Sequence, residues 1–291
     1  MTKEAGPRGS GSARQRWAGV LGVCLLGLVT VVAVFAPAIA PYRPFELSGR
    51  PLEAPNGSHL LGTNGVGQDV FSQVVEGSRS SLLIALFAGL GTLVVGTLIG
   101  LVSGWAGGRV DAVLMRLTDL VLALPRLPLL ILMGVYLGPS LRNTAIVISV
   151  AFWPPTARIV RSQVLSLRNR THLMAAVGFG AGTWHALRRH IVPEIGLILA
   201  ASLVATAGRA VMLEAGLAFL GLGDPSRVSW GSSLRDALNF NALFFTDAWQ
   251  WWLLPPIIAL STFLLGLTLL GLTFEHRVNP RLARHAGGGR R

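Results

Sequence analysis

Four charged side chains stand inside otherwise apolar runs of the sequence: Asp119, Arg126, Arg209 and Glu214. A charge at membrane depth is expensive and usually faces a bundle interior or an aqueous path. These four can therefore pair between helices, relay protons or touch a passing solute. Asp119 and Arg126 are seven residues apart, which puts them on one face of a continuous helix, about 10 Å apart along its axis. Arg209 and Glu214 are five apart and do not share a face. Other chemistry is missing. The pattern Gly-x-x-x-x-Gly-Lys-Ser/Thr does not occur, and the only lysine, Lys3, lies near the N-terminus. The chain therefore lacks the usual phosphate cradle, and an ATP-driven step would need another polypeptide. His59, His172, His185 and His190 show no compact ligand spacing. The single cysteine, Cys24, can form neither an internal disulfide nor a cysteine-based metal site, and it reads as a small buried hydrophobe. No catalytic residue, metal or cofactor is expected.

A second group of polar residues is local. The stretch "HLMAAVGFGAGTWHALRRHIVPEI", residues 172–195, carries three histidines, two adjacent arginines and glycines at 178, 180 and 182 between long apolar blocks. Thr171 to Phe179 can form a short helix, which Gly180 or Gly182 can end in the left-handed conformation. Thr183 can cap a second helix over Trp184 to His190, and Pro193 marks the start of the next apolar run. The small residues Ala175, Ala176 and Ala181 permit another surface to approach closely. Arg188, Arg189 and His190 suit a helix C-terminus and can also meet anionic lipid. The segment is thus either an amphipathic loop resting on a membrane or a docking platform.

The elements that must position these residues are apolar helices. Of 291 residues, 52% are hydrophobic and 13% charged, against roughly 25% charged in an ordinary soluble domain. The expected fold is all-α: a polytopic membrane protein with six spans of about 20 residues each. The first runs from Trp17 to about Ile39 and is too long for a signal-peptide core. The others cover approximately Leu82–Trp105, Val113–Leu137, Asn143–Ile159, Ile195–Leu217 and Trp251–Phe274. Pro154 and Pro155 make the fourth the weakest. Gly96, Gly100 and Gly104 form a GxxxGxxxG stripe suited to close helix packing. Lys and Arg near the span ends divide 17 to one side and 6 to the other, so both termini should be cytoplasmic. The net charge of +12 then reflects the positive-inside rule, and no nucleic acid is implied. Residues 41–81 and 223–250 become long outer loops, with Trp249, Trp251 and Trp252 at the outer interface.

Several ordered motifs resemble one family. Met174-Ala175-Ala176, Gly180 and His190-Ile191-Val192-Pro193 are similar to the cytoplasmic loop signature of ABC-importer permeases, with Met174 in place of the usual Glu. "HLLGTNGVGQDVFSQVVEGSRSSL" from His59 and "EAGLAFLGLGDPSRVSWG" from Glu214 resemble stretches of the dipeptide/oligopeptide/nickel permeases. "GGRVDAVLMRLTDLVLALP" and "WPPTARIVRSQVLSLRNR" do so as well. The resemblance covers about residues 20–280 and is closest to the C-type permease chain. Asn64 and Gln68 replace the family's usual Asp and Arg. If those two normally attract each other, losing both leaves no unpaired charge.

The resemblance implies a permease subunit in a bacterial inner membrane, partnered by a homologous permease, two ATP-binding subunits, an extracytoplasmic substrate-binding protein and lipid. Residues 17–280 would form the transmembrane domain, flanked by cytoplasmic tails at 1–16 and 281–291. Residues 162–193 would form the ATPase-coupling loop, with Met174, Ala175, Ala176, Gly180, Ala181, Trp184, His190 and Pro193 at the contact. Asp119, Arg126, Arg209 and Glu214 would line the path or pair within the membrane. Di- or oligopeptides are the expected cargo, with nickel chelates or other small solutes as the alternative. A proton-coupled secondary transporter using Asp119 and Glu214, or a membrane scaffold without transport, belongs to a different class; association with an ATPase subunit separates these from the importer.

Overall fold

The computed structural model describes residues 10–180 and 182–278. The helices in chain order are α1 (Ser10–Val34), α2 (Ala36–Ile39), α3 (Val70–Ala106), α4 (Gly108–Ala123), α5 (Arg126–Leu137), α6 (Leu141–Arg168), α7 (Thr171–Gly178), α8 (Thr183–Ala186), α9 (Val192–Phe219), α10 (Trp230–Leu238) and α11 (Leu254–Val278). Single π-turns at Leu187–Ile191 and Trp249–Leu253 lead into α9 and α11. No strand is formed among the described residues, only two isolated bridges in the loop before α3. The all-α expectation is met. The basic segment 1–16 is helical from Ser10 onward; residues 1–9 and the C-terminal tail from 279 fall outside the described residues.

A count of six spans is not confirmed. Among the described residues four helical segments are long and apolar enough to cross a membrane: Trp17–Val34, Val70–Ala106, Thr183–Phe219 and Trp249–Phe274. A fifth is available only if α4 and α5 act together, and they meet at 85°. The expected straight span Val113–Leu137 is therefore broken. The break falls at Leu124-Pro125, where proline disfavours helical geometry in the residue before it. With 28 residues α6 is long enough, but its prolines, hydroxyl side chains and arginines dilute its apolar character. It nevertheless runs unbroken through Pro154 and Pro155.

What holds α6 is the glycine stripe. A Cβ on Gly96 would lie 2.8 Å from the Trp153 carbonyl, on Gly100 2.6 Å from that of Ala157, and on Gly104 2.7 Å from Val164 Cβ. Backbone meets backbone there, as the stripe's spacing suggests. Around this pair, α9, α11 and α1 complete a core that includes Ile84, Ala88, Ile148, Phe152, Ala210 and Phe263. Cys24 is exposed on α1 rather than buried. The error came from equating an apolar run with a core; a membrane helix turns much of its apolar surface outward to lipid or other chains.

At the end opposite the 171–193 loop, the segment before α3 and the segment between α9 and α11 form a small lobe. Val70, Ala237, Leu243, Ala248, Trp252 and Leu253 make its core. The expected loop 41–81 is shorter than the sequence suggested, because α3 starts at Val70. Residues 70–81 are rich in polar side chains, yet many are buried against the lobe: Trp230 Nε1 donates to the Val74 carbonyl at 2.9 Å and Ser80 to that of Val228 at 2.7 Å.

Candidate functional site

The 171–193 segment is a helical pair fixed to the bundle from below. Leu173 of α7 is buried with Val160, Val164 and Leu167 of α6 and with Ala186, Ile191 and Ile195. Polar ties reinforce that seat. Arg170 pairs with Glu194 at 2.8 Å, Arg168 donates to the Gly104 and Trp105 carbonyls at 3.2 and 3.3 Å, and Arg161 pairs with Asp111 through a 2.6 Å contact. Trp105 Nε1 donates to Thr183 Oγ1 at 3.2 Å.

Between the two short helices Gly180 has φ +89°, and a Cβ there would meet nothing within 4 Å. The turn therefore depends on a left-handed backbone and not on crowding. The first residue flanking α8 is Gly182, in extended geometry, so Thr183 lies inside the helix and is not its cap. The second helix does not stop at His190 either. It passes through the π-turn, where Val192 N–H reaches back to the Leu187 carbonyl, and continues into α9 with Pro193 in its first turn. Proline cannot donate to the carbonyl four residues back, and the wider turn absorbs that loss without a break.

The bare surface of this pair carries large apolar side chains beside the exposed His185, Arg188 and Arg189. Phe179 is 93% exposed and Trp184 73%, with Met174 exposed beside them. Ala175 and Ala176 lie on α7; Ala181 falls outside the described residues. His190 sits in the π-turn with its ring 6.0 Å from that of His185. Phe179 escaped the sequence reading. Its signal was a bulky aromatic flanked by glycines, which no core-facing periodicity required.

The four charges within apolar runs are not brought together. Asp119 is ion-paired with Arg158 of α6, 39 positions away. Arg126 stands beyond the 85° break, so the shared face expected for it and Asp119 does not exist. Its guanidinium lies over the Phe152 ring, 5.0 Å from the centroid. Arg209 donates to the Ala205 carbonyl at 3.2 Å and to Thr206 Oγ1 at 3.4 Å. Glu214 is 7% exposed, beside a small chamber with Ser80, Thr144, Arg227 and Ser229, and its Oε2 has no hydrogen-bond partner.

The opposite lobe holds a cavity of about 520 Å³ lined by Asn64, Gln68, Asp224, Arg227, Asp236 and Trp252 among others. Asn64 Nδ2 donates to Gln68 Oε1 at 2.8 Å, so these two positions do contact each other. Gln73 shares the same oxygen at 2.8 Å. Below them Asp69 caps α3 through Ser72 at 2.8 Å and holds His59 Nδ1 at 2.9 Å. Asp224 accepts from the first amide of α6, Leu141, at 3.0 Å, and from Ser226 at 2.9 and 2.6 Å. Burial pushes the Asp224 carboxyl up, but these hydrogen bonds and the Arg227 charge outweigh it and leave it below its usual range.

Comparison with known proteins gives a consistent result. Residues 96–284 match the family described as "Binding-protein-dependent transport system inner membrane component". A protein of Brucella suis biovar 1, named as a candidate peptide permease, is 36% identical over 269 residues, covering 92% of this chain and 88% of its own. The dipeptide transport system permease protein DppC of Alkalihalophilus pseudofirmus is 32% identical over 266 residues, 90% and 86% of the two chains. DppC of Bacillus subtilis is 31% identical over 265 residues, 90% and 82%.

Proposed function

The chain belongs to the family of binding-protein-dependent transport system inner membrane components, and from that premise we infer that it is a membrane-spanning permease subunit of an ATP-driven importer for di- or oligopeptides. The observation that carries this reading is the near-complete alignment with relatives named for peptide and dipeptide transport. A permease of this kind is a transport subunit, so ATP hydrolysis falls to separate ATP-binding subunits. A homologous permease completes the path, and an extracytoplasmic binding protein delivers the cargo. Residues 17–280 form the transmembrane domain, and both termini, with the tails 1–16 and 281–291, face the cytoplasm.

Within this assignment the helical pair at 171–193 receives the ATP-binding subunits. Met174, Phe179 and Trp184 offer bare apolar surface on a platform seated by Leu173 and Ile191. Met174 supplies no carboxylate, so the contact is one of shape and burial. The lobe at the other end, with Ser226 exposed on it, is the side that meets the binding protein. A switch between inward- and outward-facing states requires each partner to bind the two states unequally.

The test is assembly followed by transport. Purified alone, the chain should not hydrolyse ATP. Co-expressed with its neighbouring permease and ATP-binding subunits it should copurify with both, and in proteoliposomes the complex should take up peptide only with ATP and binding protein present. ATP hydrolysis by a preparation free of other subunits, or peptide uptake driven by a proton gradient alone, would overturn the assignment.

A further inference from the structure

Two of the charges in apolar surroundings lack the counter-charge such a position requires. Among the described residues no carboxylate pairs with Arg126 or Arg209, and Asp119 is already engaged by Arg158. The fold also brings the two arginines near each other. Arg126 stacks over Phe152, and Phe152 is buried in the same cluster as Ala207 and Ala210, the residues that bracket Arg209 on α9. The Arg126 charge is close enough to act on Arg209 electrostatically. Arg209 stands ten residues before the end of α9 at Phe219, so it lies about 15 Å below that end and within a hydrocarbon layer roughly 30 Å thick. It lines a groove of about 370 Å³ between α9 and α11, with Gly208, Met212, Leu264, Thr268 and Gly271.

Two like charges at that depth repel each other where water cannot screen them. The Phe152 ring offsets part of the burden for Arg126, and local backbone and hydroxyl acceptors do so for Arg209. Neither removes the net positive charge. Glu214, five positions along α9, is turned into its own chamber near Ser80 and Ser229. The position is stable if the arginines border an aqueous path, and a guanidinium there binds one chemical group best: a carboxylate, which its planar fork can hold through two parallel hydrogen bonds.

Resting on the assignment as a peptide permease, we propose that Arg126 and Arg209 form a cationic station on the translocation path that receives the carboxylate of the travelling peptide. The station would draw anionic groups inward and disfavour cargo whose carboxylate is blocked. It is a binding station and takes no part in a covalent step.

The test uses the assembled complex in proteoliposomes, with Cys24→Ser and Arg209→Cys in this chain. Arg126 remains, so a negatively charged thiosulfonate reagent should modify position 209 faster than a positively charged one of equal size, on the order of tenfold. Adding Arg126→Gln should bring the two rates together. A tripeptide with a free C-terminal carboxylate, delivered by the binding protein, should slow the reaction more than its C-terminal amide. Equal rates, or no reaction with either reagent, would refute the aqueous cationic station. Faster anionic modification without protection by the free acid would refute the carboxylate as its ligand. Failure of Arg126→Gln and Arg209→Gln chains to join the sister permease, with Arg→Lys restoring assembly, would show that the charges pair across the subunit interface, and this too would overturn the proposal. If the unmodified complex takes up no peptide of any kind, the cargo assignment fails, while the reagent rates still judge the station.

Discussion

Replacing Gly180 with valine should disconnect the 171–193 platform from transport while leaving the chain folded. At φ +89° a β-branched residue is strained by about 1–3 kcal/mol, and the open space around its Cβ means that no clash adds to this. The whole penalty falls on the turn between α7 and α8. At 1.4 kcal/mol per factor of ten, it shifts the turn about 5- to 150-fold toward other geometries. The spans are insulated, because the core around Leu173 and Ile191 does not include the turn. Gly182→Val supplies the control: it sits two residues on, also with nothing within 4 Å of its Cβ, but at φ −65°. Assembly with the sister permease should be normal for both variants. Binding-protein-stimulated ATP hydrolysis and peptide uptake should fall at least fivefold in Gly180→Val and stay near wild type in Gly182→Val. Crosslinking from a cysteine at Trp184 to the ATP-binding subunit should weaken in parallel. Equal behaviour of the two variants would refute the reasoning, since it would mean that the sign of φ at this turn is irrelevant to coupling.

Gly100→Val should separate α3 from α6, because its Cβ would lie 2.6 Å from the Ala157 carbonyl oxygen, and overpacking against backbone costs about 3 kcal/mol; thermal unfolding in detergent should show a marked drop, whereas Gly27→Val, with open space around it, should not. Asp224→Asn should weaken the tie between the opposite lobe and α6 by about 1–2 kcal/mol at neutral pH. The folded-state pKa of Asp224 is lowered, so its contribution is present above the unfolded value and is lost as pH falls through the folded one; the difference in melting temperature should hold across pH 5–8 and shrink only below about pH 4. Cysteines at Ser166 and Ser226 in a Cys24→Ser chain should react with membrane-impermeant maleimide from opposite sides in sealed cells, Ser226 from outside. External labelling at 166 would reverse the assigned orientation.

Apolar runs made most helices legible, and the glycine stripe signalled a close helix contact, since a 3.6-residue period places Gly96, Gly100 and Gly104 on one face; that its partner is α6 came only from the fold. Where the reading missed, a local signal was outweighed by packing. The polar start of α3 looked like loop, yet Ser80 and the Val74 carbonyl bond to a segment that arrives some 150 residues later in the chain, and Gln73 bonds to Pro44 and Gln68 ahead of it. Leu124-Pro125 breaks a run that stays apolar on both sides, so hydropathy alone carried no trace of the bend. Pro193 suggested a boundary that the π-turn erases. For the site, residue type offered Gly180 or Gly182 for the left-handed turn; Gly180 takes it and Gly182 does not. The Asp119–Arg158 pair could not be read, because nothing in sequence spacing relates residues 39 apart on helices of unknown contact. Asn64 and Gln68 were linked in advance by their joint departure from one motif, and they do touch.

The unbroken helix from Thr183 to Phe219, 37 residues long, has a mechanical consequence. At 1.5 Å per residue it is a shaft of about 55 Å. Its close crossing with α3 is at Gly89, whose Cβ position lies 3.2 Å from Leu203 Cδ1 and 3.6 Å from Ala207 Cβ. If that crossing is the fulcrum, the arm on the loop side is about 36 Å and the other about 18 Å. A stroke of ~4 Å imposed at Thr183 then delivers ~2 Å at Phe219, with force gained in proportion to the travel lost. The π-turn at Leu187–Ile191 lies in the long arm, only a few residues from where force would be applied. Its compliance would therefore subtract from input travel before the fulcrum, and would not loosen the end that opens the far side.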